Sequence, residues 1–434
     1  MQLLNNNIVE ITSLSHEGRG IAHLEGKTLF LEGGLPGEQV AFEYIRKHRH
    51  FDEGRVIEVV HASPDRVVAF CPHFGVCGGC SQQYMSPALQ IQHKQTVLLE
   101  NLLHIGKVEP KTILSPLLGP PRHYRHKARL GVKFVEKKQK LLIGFHEKKG
   151  RFLADLSRCD ILHPAIGQQF ESLRALLMSL GNYRCIPQIE VAVGDECVAI
   201  VIRHLENFSE NDLQKLKNFS KEKNIKIYLQ AAGPDSVRLL DEEDVEDLFY
   251  CLPEFDLKLF FKPLDFTQIN PVINRQLVLR AVQLLDIQSH DRVIDFFCGL
   301  GNFTLPLARL AQSVVGVEGS AEMIARARFN AEKNQVSNTE FFVENLMALP
   351  QEVSWKRNYN KVLLDPPRVG AVELLTSMSL QAERLVYVSC NPATLARDAG
   401  YLVSQGYSLE SAGIVDMFPQ TGHVESIAVF KGRL

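Results

Sequence analysis

At 434 residues the chain is too long for one core and predicts two or three domains. Hydrophobic residues make up 45% and charged residues 23%, the balance of a folded globular protein, which excludes fibrous and disordered classes. The formal net charge of −2 gives no overall basic character, no apolar run approaches a membrane span, and the first residues lack a basic leader followed by an apolar stretch. A cytoplasmic protein with no membrane partner is expected.

The charge is uneven. Asn101 to Gly150 holds twelve Lys and Arg against three Glu, whereas Val201 to Phe260 holds eight against thirteen Asp and Glu. This predicts a basic face on a nearly neutral molecule. The nine cysteines are an odd number in a large chain and do not read as a disulfide framework.

Residues 3 to 60 alternate in short runs broken by glycines: Ile8 to Ile11, Ile21 to His23, Thr28 to Leu31, Gln39 to Ile45 and Arg55 to Val60. About five strands in so short a stretch predict a small β-barrel of oligonucleotide-binding type. Arg46-Lys47-His48-Arg49-His50 would form a basic loop between two strands, with Arg46, Lys47 and Arg49 suited to phosphate contacts.

Next, Cys71-Pro72-His73-Phe74-Gly75-Val76-Cys77-Gly78-Gly79-Cys80 places three thiols in ten residues with glycines between them. Cys159, in Ser157-Arg158-Cys159-Asp160, is the best candidate for a fourth ligand. Four thiolates suit tetrahedral zinc or a [4Fe–4S] cluster. Zinc sites usually repeat a close pair, so three clustered cysteines and one distant one favour the cluster. Cys185, Cys197 and Cys251 stand alone and are expected to fill core.

Ser86 to His104 reads as an amphipathic helix with Leu89, Val97, Leu98, Leu102 and Leu103 on its apolar stripe. Arg122-His123-Tyr124-Arg125-His126-Lys127-Ala128-Arg129 interleaves bases with an aromatic. It is a candidate RNA contact through Arg122, Arg125, Lys127 and Arg129, or else one polar face of a strand. The rest, to about Leu259, predicts a mixed α+β central domain that includes a polar helix over Glu210 to Lys223.

The C-terminal part repeats strand, polar tip, helix. Val293-Ile294-Asp295-Phe296-Phe297 runs into Cys298-Gly299-Leu300-Gly301-Asn302, a glycine turn that lets a ligand lie against the backbone at a helix start. A second apolar run ends in Glu318, where a carboxylate can accept from ribose hydroxyls. A third ends in Glu344-Asn345, a fourth in Asp365-Pro366-Pro367-Arg368. The fifth, Leu385-Val386-Tyr387-Val388, ends in Ser389-Cys390-Asn391-Pro392, and Asn-Pro forces a turn that turns the thiol into the crevice. Five polar tips in succession describe one shared site at the C-terminal edge of a parallel sheet. A dehydrogenase could use such a sheet, but the turn lacks a full G-x-G-x-x-G and is interrupted by Cys298.

These residues carry a resemblance. Ser389 to Asp398 (Ser-Cys-Asn-Pro-Ala-Thr-Leu-Ala-Arg-Asp), the Asp-Pro-Pro-Arg tip, the glycine turn and the thiol loop together resemble the uracil-5 RNA methyltransferase family from end to end. His16-Glu17-Gly18-Arg19-Gly20 resembles the glycine turn of its TRAM barrel. Within the family, a barrel joined to four cysteines is similar to the members that act on 23S ribosomal RNA.

The resemblance implies a fold and a set of roles. Residues 1–60 would form a TRAM-like RNA-binding barrel, 61–262 an α+β central domain holding a [4Fe–4S] cluster on Cys71, Cys77, Cys80 and Cys159, and 263–434 a Rossmann-like class I methyltransferase domain. Gln268, Phe297, Asn302, Glu318, Asn345 and Asp365 would bind S-adenosylmethionine, and Phe266 would meet the substrate base. Cys390 would add to uracil C6, and Glu425 would remove the C5 proton. The implied partner is 23S ribosomal RNA, with no DNA and a monomeric protein. Other targets stay open: a different uridine of 23S or transfer RNA, a non-catalytic zinc or iron–sulfur RNA-binding protein, or a radical S-adenosylmethionine enzyme. The last is disfavoured because the first cysteine gap is five residues and a fourth cysteine is on offer.

Overall fold

The computed structural model describes residues 8–241, 247–348, 353–378 and 380–432. Among these, no helix is long and apolar enough to cross a membrane.

Glycine-punctuated alternation builds the N-terminal sheet. Its six strands lie in the spatial order Ile8–Glu10, Gln39–Lys47, Phe51–His61, Lys27–Glu32, Gly20–Leu24, Ser13–Leu14. The two outermost strands are consecutive in the chain, so the sheet closes on itself around Val9, Ala22, Leu29, Leu31, Val40 and Phe42. Closure removes the edges that an open sheet would expose. The expected basic loop is shorter than its sequence suggests: Arg46 and Lys47 belong to the strand, with the Lys47 ammonium 3.9 Å from the Tyr44 ring centre.

A second, mixed sheet of six strands follows, ordered Val237–Leu239, Lys226–Gln230, Val198–Arg203, Gln188–Val193, Lys127–Val135, Lys140–Gly144. Helices Phe170–Met178 and Glu210–Lys223 cover it with Phe170, Leu173, Leu177, Leu216 and Phe219. Ser209 caps the second helix by accepting from the Asp212 N–H at 3.2 Å.

The third sheet carries the polar tips. Its strands are β1 Arg292–Phe296, β2 Ser313–Glu318, β3 Thr339–Val343, β4 Lys361–Leu364, β5 Arg384–Ser389, β6 Ser408–Val415 and β7 Glu425–Lys431. They lie in the order β3-β2-β1-β4-β5-β7-β6. The first five are parallel and read as near-continuous apolar runs because both faces are covered. β7 is antiparallel to both β5 and β6. Leu277 and Val278, from helix Pro271–Leu285, pack on one face, and Leu395 and Ala399, from helix Pro392–Ser404, on the other.

Two segments from earlier in the chain join this sheet. Thr112–Ile113 pairs in parallel with β6. The helix after the cysteine loop, Pro87–Asn101, is N-capped by Ser86, whose hydroxyl accepts from the Leu89 N–H at 3.1 Å. It packs with Val97, Leu98 and Leu102 on the face that holds Leu395. Its buried face differs from the expected leucine stripe: Gln90, His93, Lys94 and Asn101 are buried, while Leu103 is exposed. The polar residues face in because the loop they meet presents carbonyls and a carboxylate.

Gly316, in β2, lies under the glycine turn. A Cβ there would stand 2.8 Å from Phe341 Cδ1 and 3.0 Å from Cys298 Sγ. Gly316→Val should therefore overpack this site, costing about 1–3 kcal/mol in a denaturant melt. Because Cys298 is part of the turn, binding of an adenosine cofactor should weaken in the same variant.

Candidate active site

Two strand ends set the chemistry. In the β5–β7 ladder Ser389 pairs with Ser426. The next pair outward is therefore Cys390 and Glu425, the residue after the end of one strand and the first residue of its antiparallel neighbour. Ser426 donates its hydroxyl to the Ser389 carbonyl at 3.3 Å and tightens that end. Asn391 then caps helix Pro392–Ser404, its Oδ1 accepting from the Ala393 N–H at 3.1 Å, with Pro392 at the first helical position.

The run Asn391 to Asp398 holds the neighbouring tip, Asp365 to Val369. Asn391 Nδ2 donates to the Arg368 carbonyl at 2.9 Å, and Arg397 donates to the Val369 carbonyl at 2.8 Å. Fully buried Asp398 accepts from the Ala371 N–H at 2.7 Å and from the Tyr387 hydroxyl at 2.6 Å. Asn391 and Asp398 lie two turns apart on one helix face, with Arg397 next to Asp398. The spacing that gives the motif its specificity is thus a device for fixing Asp365 and Arg368 beside the thiol.

Three acids share this low-dielectric corner. Burial raises Asp365 to about 7. Burial, then Asp365, raises Glu425 to about 8, with Arg368 opposing. Burial, then Glu425 and Asp365, pushes the Cys390 thiol up to about 11, again opposed by Arg368. At rest, near neutral pH, the thiol is protonated and Glu425 is mostly so. Arg368 also faces His423, with Nη2 3.5 Å from Nδ1.

The polar tips of β1 to β3 stand along the same edge. Phe297 takes a left-handed φ of 64° and donates its N–H to the Val317 carbonyl at 2.8 Å. Gly299 and Gly301 follow at φ 55° and 95°, backbone states that glycine adopts without strain. Glu318 accepts from the Ser320 N–H at 2.9 Å and the Gly299 N–H at 3.4 Å, which aims its carboxylate at the turn. Asn302 exchanges amide bonds with Asn274 at 3.0 Å and accepts from the Tyr250 hydroxyl at 2.8 Å. That ties the turn to helix Pro271–Leu285. Asn345 is exposed and accepts from the Met347 N–H at 3.0 Å.

Phe266 and Gln268 lie on the loop between strand Leu257–Phe261 and helix Pro271–Leu285. The loop is anchored on three sides: Lys127 Nζ donates to the Pro263 carbonyl at 2.5 Å, the His126 N–H to the Ile269 carbonyl at 2.8 Å, and Arg326 pairs with Asp265 at 3.1 Å. Phe266 itself is 69% exposed, a ring held out toward solvent by a fixed loop.

All three sheets meet at a cleft of about 1010 Å³ beside Cys390. His16 and Glu17 come from the barrel, Gly78, Gly79 and Ser81 from the cysteine loop, Arg125 and Phe145 to Lys148 from segments flanking strands of the central sheet, and Arg368, Phe418 and His423 from loops of the third sheet. This redistributes the basic residues. Arg125, Lys148 and Arg368 line the cleft, whereas Lys127 is turned inward onto Pro263 and its ammonium is lowered to about 8 by burial. Arg129 pairs with Glu190 at 3.0 Å, and Arg122 lies over the Phe70 ring at 4.0 Å. Arg368 belongs to a strand tip expected at the shared crevice, whereas Lys148 was not legible as a cleft residue, since nothing in its spacing says which way its loop turns.

Cys71, Cys77, Cys80 and Cys159 line one cavity, and Gly79 and Phe145 form a wall shared with the cleft. All four thiols are free, and burial raises them all, Cys80 to about 12 and Cys159 to about 11. Cys77 Sγ accepts from the Gly79 N–H at 3.4 Å. Among the described residues, no three His, Cys, Asp or Glu side chains converge closely enough to hold a single metal ion. The structure therefore does not show the expected metal centre; what it shows is a cavity lined by the four thiols.

Comparison with known proteins places this geometry. Residues 86–433 match the family described as tRNA (Uracil-5-)-methyltransferase, and residues 8–59 match the TRAM domain. The 23S rRNA (uracil(1939)-C(5))-methyltransferase RlmD of Hahella chejuensis is 50% identical over 429 residues, covering 97% of this chain and 96% of that protein. The protein of the same name from Xanthomonas campestris is 50% identical over 98% of this chain and 96% of its own. Among solved structures, the Pyrococcus abyssi tRNA (uracil-54, C5)-methyltransferase in complex with S-adenosyl-L-homocysteine shares the fold, with a TM-score of 0.73, 23% identity, and coverage of 97% of this chain and 99% of that one.

Glu425 offers a direct check on the buried acids. Its carboxyl holds a proton more tightly folded than unfolded, so wild-type stability should fall as pH rises from about 4.5 to about 8. Glu425→Gln has no such proton to lose. Thermal melts should show the variant gaining on wild type across that window, and parallel curves would refute the buried-acid reading.

Proposed function

The chain belongs to the tRNA (uracil-5-)-methyltransferase family, and we propose that it methylates carbon 5 of a 23S ribosomal RNA uridine, the one its relatives name as 1939. It is an S-adenosylmethionine-dependent enzyme. The observation that carries the mechanism is that Cys390 and Glu425 follow the Ser389–Ser426 pair at the shared end of β5 and β7, close enough for Glu425 to act on the thiol electrostatically.

Uracil C5 is a poor carbon nucleophile. The Cys390 thiolate adds to C6, and the electron pair displaced from C5=C6 makes an enolate rich at C5. Carbon 5 then takes the methyl group from the cofactor's sulfonium. In the last step the C5–H bond breaks toward Glu425, its pair restores C5=C6, and the C6–S bond breaks with its pair returning to Cys390. A carboxylate raised to about 8 is a stronger proton acceptor than an ordinary glutamate. Arg368 is the nearby cation that offsets charge when the thiol ionises. Glu318 suits ribose hydroxyls, and the turn from Phe297 to Asn302 suits close approach of the cofactor.

Attack at a ring carbon needs an exposed base face, so the uridine must leave its stack. The cleft supports that reading. Arg125, Lys148 and Arg368 suit the flanking phosphates, Phe266 offers a stacking face, and the barrel forms one wall. Action on ribosomal RNA supports a cytoplasmic location.

The four cysteines fit a [4Fe–4S] cluster better than zinc. What supports the cluster is the spacing, three clustered cysteines and one distant one, together with their lining of one cavity. Cys71, Cys77, Cys80 and Cys159 would hold it, and such a centre would fix the loop that walls the cleft. Anaerobic reconstitution should give iron and sulfide near four each per chain, with loss of the chromophore in Cys159→Ser. One zinc per chain, and no sulfide, would point to the other ligand.

Trapping tests the covalent step. RNA carrying 5-fluorouridine at the target should give, with S-adenosylmethionine, a methylated protein–RNA adduct that survives a denaturing gel, since fluorine cannot leave C5 as a cation. Cys390→Ala should abolish the band. A band that persists in this variant would assign the nucleophile elsewhere.

A further inference from the structure

Lys94 is fully buried, yet no step above uses it. It lies on helix Pro87–Asn101, and its ammonium donates to Asp416 Oδ1 at 2.7 Å and to the Phe418 carbonyl at 3.0 Å. Asp416 is the first residue beyond β6, and Glu425 is the first residue of β7. The segment between them is too long for a tight hairpin turn, so its path has to be fixed from outside.

Neighbouring elements supply the fixation. The Ser81 and Gln82 N–H groups donate to the Gln420 carbonyl at 2.9 and 3.0 Å, and the Ser81 hydroxyl accepts from the Gly422 N–H at 3.2 Å. Gln90 exchanges two bonds with Gln420, accepting from its N–H at 3.0 Å and donating to its Oε1 at 3.2 Å. Gln420 is held at a φ of 69°, a left-handed state that a residue with a side chain adopts when its surroundings impose it. A helix that needed packing alone would carry an apolar residue at position 94, because taking an ammonium out of water costs stability.

We propose that Lys94, with Ser81 and Gln90, is a positioning device for Glu425: it clamps the segment from Asp416 to Gly422 and so fixes where the carboxyl meets the C5 proton. This rests on the reading of Glu425 as the base. Lys94 touches neither substrate nor cofactor, and its effect falls on one step, the transfer of the C5 proton to Glu425 with return of the C6–S pair to Cys390. Ser81 directly follows Cys80, so the thiol cavity and the base are joined through one backbone latch.

The test is a single-turnover reaction of the full-length protein with S-adenosylmethionine and a uridine-containing 23S fragment. Covalent adduct is followed on denaturing gels alongside released methylated RNA. Variants are Lys94→Met combined with Asp416→Asn, which leaves no unpaired buried charge, Ser81→Ala, and Glu425→Gln as reference. The expected result is adduct formation within about threefold of wild type, with breakdown slowed about tenfold or more in the double variant. Adduct should therefore accumulate as it does in Glu425→Gln, with calorimetric affinity for S-adenosylmethionine unchanged.

Equal slowing of formation and breakdown, or no change in either, overturns the proposal. No accumulation in Glu425→Gln instead overturns the assignment of the base itself, so the two failures are distinguishable. Should the double variant fail to fold, Ser81→Ala decides alone: breakdown slowed about threefold with formation unchanged supports the clamp, and unchanged breakdown refutes it.

Discussion

The structure depends on one pairing, the antiparallel seating of β7 beside β5. In a wholly parallel sheet every strand offers its C-terminal tip to the crevice, and residues entering a strand lie on the opposite edge. Reversing one strand brings its first residue to the active edge. Glu425 thereby stands opposite Cys390 at the end of the Ser389–Ser426 ladder. Two residues far apart in sequence, the proposed nucleophile and proton acceptor, become neighbours through strand pairing. The same seating buries three acids together, with Arg368 as their counterweight.

That arrangement needs support from elsewhere in the chain. The conserved geometry of the parallel half is internal: helix Pro392–Ser404 braces the Asp365–Val369 tip through Asn391, Arg397 and Asp398. The antiparallel half is braced from outside, by a lysine and a glutamine on helix Pro87–Asn101 and by the tail of the cysteine loop. The cleft therefore cannot be assigned to a single domain. Its floor is the catalytic sheet, and its walls are the barrel, the thiol loop and the hairpin at Phe145 to Lys148. Gly79 and Phe145 face both the thiol cavity and the cleft, so the two share a wall.

Some of this was legible from local pattern and some was not. Buried parallel strands declare themselves as apolar runs, and the barrel's alternation predicted its strands to within a few residues. Cys390 stood out because Asn391-Pro392 must break the strand it follows. The basic residues were read less well. Arg46 and Lys47 proved to be strand residues, Lys127 turned inward to hold the Phe266 loop, and Lys148 faced the cleft unannounced. A lysine looks the same in sequence whether its ammonium meets phosphate or a backbone carbonyl. Helix Pro87–Asn101 was read in part: Val97 and Leu98 pack on the sheet face as expected, while Gln90 and Lys94 are buried against the 416–420 segment.

By itself, the sequence determined the elements whose signals are local. These are the three groups of strands, the glycine turn with Glu318 beyond it, the thiol loop, and a cysteine at a strand tip. Each follows from side-chain period, from the backbone freedom of glycine, or from the constraint of proline. Tertiary structure alone decided that Glu425 faces Cys390, that the four thiols surround one cavity, that Lys94 grips the segment before the base, and which cations line the cleft. Those are relations between segments distant along the chain. They are set by ladder register and by which surfaces exclude water together, quantities that no local window of residues contains.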